Sequence, residues 1–155
     1  MSDSNEQSEA QRWHKRFATD CNNRAWALSV QTRSASEDRE MLDAAHSSAW
    51  HWAQIGAELN RMRATTLVAE VHALLGMGPS SIVLAETMRE YFLSRETPDW
   101  EFACVHAVYA HAAHAAGRTV EHREAYARAV EALAAIADEE DRKIIAKTFN
   151  QVPRP

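Results

Sequence analysis

Eight histidines stand in this chain, and two groups of them are close enough in sequence to suggest shared chemistry. His111 and His114 are three residues apart, so on a helix they share a face. His106 lies two turns before His114 on a similar face. Imidazole is a good ligand for zinc or iron, and helical bundles assemble metal sites from facing helices. The stretch "AHSSAWHWAQIG" holds His46, Trp50, His51 and Trp52. His46 and Trp50 are four apart and stack on one face, where they could wall a small cavity. His51 is turned well away from His46.

None of this forms a diagnostic motif. No HExxH or ExxH occurs, and Glu70 and Glu101 come without ligand spacing. No metal and no cofactor is therefore assigned, and no catalytic residue is named. Cys21 and Cys104 sit on apolar stripes, where a thiol stays protonated and inert. Neither belongs to a CxxC pair. "GMGPSS" follows a helix rather than a strand and reads as a turn, not a phosphate loop.

These residues must be held by helices. Four glycines and four prolines in 155 residues leave little room for β-turns, and the apolar period is near 3.6 almost throughout. Seven helices are predicted. The first runs from about Ser8 to Thr32, with Trp13, Phe17, Cys21, Ala25 and Leu28 inward and a bend at Asn22-Asn23. The second is capped by Ser36, buries Leu42, Ala45, Ala49 and Trp52, and stops near Gly56. The third is capped by Asn60, buries Leu67, Val68, Val71, Leu74 and Leu75, and ends at Gly76. The fourth starts near Pro79, with Leu84, Met88, Tyr91 and Phe92 on one face. Thr97 caps the fifth, which reaches Gly117. Thr119 opens the sixth, with Tyr126, Val130, Leu133 and Ile136 inward. Asp138 starts the seventh, carrying Ile144, Ile145 and Phe149. Residues 1–7 read as a disordered tail and 150–155 as an extended one around a single domain.

Two helix pairs repeat. "LVAEVHALLG" and "AVYAHAAHAAG" each precede a turn and a helix, and solenoid repeats of paired helices have periods of about 34 to 47 residues. Ala69 and Gly76, then Ala110 and Gly117, occupy the small-residue and loop-glycine positions of tetratricopeptide-like repeats. Leu75 and Ala116 precede the glycines, and Ser81, Ala85, Tyr126 and Ala129 match the partner helix. The chain thus resembles that class, although its small position is Ala rather than Gly, the closing proline is missing and the spacing is long. The resemblance implies an all-α stack of about three antiparallel helix pairs with a C-terminal capping helix. Separately, "RWHKRFATDCNNRAW", "AAHSSAWHWAQIG", "VHALLG", "DWEFACVHAVYAHAA" and the ending "VPRP" resemble a family of small bacterial all-helical proteins, a likeness that implies the fold and carries no activity.

Such stacks bind extended segments on a concave surface lined by the first helix of each pair. Arg63, Thr66 and Glu70 from the third helix, with His111 and His114 from the fifth, are expected there, and His46 with Trp50 forms a second candidate. The expected function is a non-catalytic interaction module for a peptide or protein segment. The alternatives are a small-molecule or metal-binding helical enzyme using histidines of several helices, and a structural homodimer. A formal charge of −5, with no Lys/Arg run, argues against nucleic acid. The polar, acidic N-terminus lacks a secretory h-region and no stretch is apolar enough to span a membrane, so a cytoplasmic protein is expected.

Overall fold

The computed structural model describes residues 2–155, with side chains from Glu6 onward. Among the described residues it is all-α, with seven helices and no strand: α1 (Ser2–Ser29), α2 (Ala35–Ile55), α3 (Glu58–Leu74), α4 (Gly78–Leu93), α5 (Asp99–Ala115), α6 (Thr119–Ala134) and α7 (Glu139–Phe149). None is long and apolar enough to cross a membrane. Two compact units are distinguished, Met1–Val68 and Ala69–Pro155, with the boundary inside α3.

The first unit is built on the α1–α2 hairpin. Helix α1 is drawn from Ser2 and passes unbroken through Asn22-Asn23, where a bend was expected. Met1, part of the expected tail, lies outside the described residues. Where the chain leaves α1, Arg33 donates to the carbonyls of Leu28, Ser29 and Gln31 and pairs with Asp38 at 2.6 Å. A cation thus satisfies the orphan acceptors of one helix end while meeting an acid in the first turn of the next. The N-cap of α2 is Ser34, not Ser36, because Glu37 three residues on closes a capping box with it. Asn60 does not cap α3 either. It lies inside the helix and its Oδ1 accepts from the Ala57 amide at 3.2 Å.

The buried stripes differ from those expected. In α1 they are Ala18, Ala25 and Leu28, with Trp13 and Phe17 exposed; in α2 they are Met41, Ala45 and Ser48, with Leu42, Ala49 and Trp52 only half-buried. Small side chains decide this. Ser48 is fully buried and its hydroxyl donates to the Ala18 carbonyl at 2.8 Å, an approach that a bulky residue at either position would prevent.

The second unit repeats the principle. The packed face of α4 is Ser81, Ile82, Ala85, Met88 and Phe92, and that of α6 is His122, Ala125, Ala129 and Ala132. Tyr91 and Tyr126 are half-buried and Val130 is exposed, against expectation; Ile144 of α7 is likewise exposed while Ile145 is buried. Ser81 donates to the Ala69 carbonyl at 2.7 Å. Helix α5 is the centre, contacting α4, α6 and α7, and it is buried on nearly every side from Ala103 to Ala113. Thr97 does not cap it; its hydroxyl turns back to the Phe92 carbonyl at 2.7 Å. Asp138 does cap α7, accepting from the Asp141 amide at 2.9 Å.

The two repeated turns coincide in geometry. Gly76 and Gly117 have φ of 71° and 72°. Each is followed by the same pair of closing bonds: Met77 to the His72 carbonyl and Arg118 to that of Ala113, both at 2.8 Å, with Gly76 and Gly117 bonding Ala73 and His114. This is the Schellman arrangement, in which a residue without Cβ takes the left-handed position. After the last turn, Val152 is buried and Pro153 accepts from His122 Nε2 at 2.8 Å, so the chain end is held to α6.

Candidate functional site

The expected binding residues fall in both units. Arg63 is half-buried in the first, and Thr66 is buried there with its hydroxyl on the Met62 carbonyl. In the second, Glu70 and His111 are both interior. His111 Nδ1 is 2.9 Å from Glu70 Oε1, while Glu70 Oε2 is buried without a partner. His114 is exposed and meets His122 edge-on, the ring centroids 4.9 Å apart. Burial lowers its pKa, assisted by His122 and His111. Two histidines three residues apart therefore point to different neighbours. His111 meets an acid on α3, and His114 an imidazole on α6.

Beside Glu70 lies Cys104. Burial, then Glu70 and Glu101, pushes its thiol up to about 12, so it is a protonated packing residue rather than a nucleophile. Cys21 is raised in the same direction by burial and Asp20. Among the described residues, no three His, Cys, Asp or Glu side chains converge as a metal-binding group.

The first unit holds a more unusual arrangement. His46 and Trp50, named from sequence, are both exposed. Trp50 stands at the edge of an aromatic cluster that includes Trp13 and Phe17, the two rings of it that periodicity had assigned to the core. His14 of α1 and His51 of α2 share a hydrogen bond, Nδ1 to Nδ1, of 2.8 Å. Trp13 stacks on Phe17 with centroids 5.7 Å apart. Phe17 lies 5.5 Å from His51, and Trp50 lies 5.6 Å from His14 and 5.0 Å from His51. The three large rings remain 47%, 44% and 58% exposed for Trp13, Phe17 and Trp50. They form a contiguous face across both helices, with the imidazole pair at its centre.

The electrostatics of this face are distinctive. One proton lies between the two Nδ1 atoms, so one ring donates and the other accepts. Burial and the neighbouring His14 lower the His51 pKa, since a second proton would set two N–H groups against each other. Residues 10–19, "AQRWHKRFAT", carry Arg12, Lys15 and Arg16 and no acid. Arg16 meets Asp20 only loosely, at 3.6 Å with both side chains mostly in water. The Arg16 guanidinium carbon lies 5.8 Å from the centroid of the Trp13 ring, so a cation adjoins the exposed rings.

The periodicity reading missed Trp13, His14 and Phe17 because it counted large apolar residues as inward. The signal available was local: cations interleaved with aromatics in "RWHKRF". No family model, curated protein or solved structure matches the chain.

Proposed function

We propose that the protein is a non-catalytic interaction module that binds an acidic, amphipathic helical segment of a partner protein across the α1–α2 aromatic face. The observation that carries this reading is the exposure of Trp13, Phe17 and Trp50 as one connected patch. Exposed aromatic patches of this kind mark binding surfaces, and Trp is enriched among residues that dominate binding energy. A strip along two antiparallel helices suits a helix laid on it, whose anchors recur every three or four residues. The bound segment is acidic because the Arg16 guanidinium lies beside the Trp13 ring, its carbon 5.8 Å from the ring centroid. The same charge opposes an isologous homodimer that would set Arg16 against its copy.

Helical hairpins joined by matching turns at Gly76 and Gly117 support a tetratricopeptide-like architecture for the module. The partner is placed on α1–α2 rather than on the residues expected to line a groove, since Thr66, Glu70 and His111 are interior. The test is selection from a displayed peptide library. Sequences combining Glu or Asp with Leu, Ile or Phe at helical spacing are expected to be enriched. Their binding is expected to fall about a hundredfold in a Trp13→Ala, Trp50→Ala double variant, corresponding to about 3 kcal/mol. Enrichment of basic sequences, or unchanged binding to the double variant, would refute the reading. So would preferential binding of single-stranded nucleic acid, which also favours basic aromatic strips.

A further inference from the structure

The hairpin that carries the exposed rings also carries a groove, and the two are continuous. On α1, Phe17, Cys21 and Arg24 follow one another at spacings of four and three residues. On α2, running the other way, His51, Ser47, Ala44 and Glu40 are spaced by four, three and four. Each set therefore shares one face of its helix. Phe17 meets His51 at one end of this strip, the ring centroids 5.5 Å apart. Arg24 meets Glu40 at the other end, through two hydrogen bonds of 2.6 and 2.9 Å. Between these ends lies an open groove of about 560 Å³, with Cys21, Ala44 and Ser47 as its half-buried floor. That volume falls within the roughly 300–1,000 Å³ of sites that hold a ligand.

The groove differs in charge from the ring face. Beside the rings the cation is Arg16, 5.8 Å from the Trp13 centroid. In the groove, Arg24 is already neutralised by Glu40. Asp20 keeps only its 3.6 Å contact with Arg16, and Asp43 makes no ion pair among the described residues. These two acids outnumber Arg39, the other cation of the lining. From Trp13 to Arg24, α1 advances eleven residues, about 16 Å or three helical turns. A partner helix seated on the rings and aligned with the hairpin passes over this groove.

Resting on the reading of the ring face as a docking surface, we propose that the bound helix extends into the groove. It sets a second apolar anchor over Cys21, Ala44 and Ser47, and a lysine or arginine against Asp20 and Asp43. The small floor residues leave room for a bulky side chain, as ridges enter grooves between packed helices. Opposite charges fix the register. The acidic end of the segment belongs at Arg16 and its basic end at Asp43, because reversing the segment would set like charges together.

The experiment uses the full chain and designed helical peptides bearing glutamates and leucine anchors. One peptide covers the rings alone. Two others are longer by two turns, at the N-terminal or the C-terminal end, and add a leucine and a lysine. Maleimide alkylation of the half-buried Cys21, read by mass spectrometry, reports occupancy of the groove, while buried Cys104 reports any unfolding. Alkaline buffer is used because burial and Asp20 raise the Cys21 pKa. One extended peptide is expected to abolish Cys21 labelling at saturation and to bind at least about tenfold more tightly than the short one. Replacing its lysine by glutamate is expected to weaken binding about threefold, since exposed ion pairs contribute modestly. Asp43→Lys, at an exposed position, is expected to reverse that preference. Undiminished Cys21 labelling under both extended peptides at saturation, or an unchanged lysine preference in Asp43→Lys, overturns the extension. If those peptides still bind through Trp13 and Trp50, the ring-face reading stands without it; if no peptide binds, both fall.

Discussion

Glu70 and His111, forty-one residues apart in sequence, meet inside the second unit at 2.9 Å, and the carboxylate is wholly buried. Removing one partner of a buried pair strands the other, at a cost of about 3–5 kcal/mol. Glu70→Ala is therefore expected to lower stability by about 3 kcal/mol, and Glu70→Gln by clearly less, because the amide oxygen still accepts from Nδ1–H. Urea unfolding of the two variants checks the difference. Equal, surface-sized losses would show that the pair is not holding α3 to α5.

Stability is expected to fall in mildly acidic buffer. Burial, with Arg89 and Arg128, pushes the His106 pKa down from 6.5 to about 4. Between those values the unfolded chain binds a proton that the folded protein refuses. Stability contributed by neutral His106 is complete above about pH 6.5 and is lost as the pH drops toward 4, by up to about 3 kcal/mol. His106→Leu should flatten this part of the profile. An identical pH dependence in wild type and variant would be inconsistent with the burial of His106.

Glycines at the two turns, Gly76 and Gly117, are expected to differ from Gly78, the first residue of α4. A Cβ on Gly76 or Gly117 meets nothing within 4 Å, so Ala there costs only the left-handed backbone strain, about 1 kcal/mol. A Cβ on Gly78 would stand 2.1 Å from the Ala115 carbonyl oxygen. Gly78→Ala must push α4 away from α5 and should cost clearly more than either turn substitution. Melting curves of the three single variants give the ranking directly.

Ser81→Val should be more damaging than Ser81→Ala. Alanine loses the 2.7 Å bond to the Ala69 carbonyl, worth about 1 kcal/mol. Valine adds volume where the helices touch and costs about 1–3 kcal/mol beyond that. Equal effects would mean the hydroxyl alone matters at this crossing.

Much of the fold was legible in the sequence: the helices, their order and the turn glycines follow from periodicity and from Gly76 and Gly117. The orientation of the helices was legible only in part: Leu28, Ala45, Val71, Met88 and Phe92 are buried as expected. Stripes were drawn through Trp13, Phe17, Trp52, Val130 and Ile144, because large apolar side chains dominate any count of hydrophobicity. The helices meet there on Ala18, Ser48, Ala85, Ala125 and Ala129, small residues that allow close backbone approach and displace bulky neighbours to the flanks. That rotation is also why the candidate face was missed. Trp13 and Phe17, which periodicity placed inside, are left outside.

The face itself is tested most directly by the indole N–H signals of the five tryptophans during titration with a designed helical peptide bearing glutamates and leucine anchors. Signals of Trp13 and Trp50 are expected to move together and saturate, with Trp26, Trp52 and Trp100 nearly still. Movement confined to Trp100, or saturable binding that leaves Trp13 and Trp50 unmoved, would contradict docking on α1 and α2.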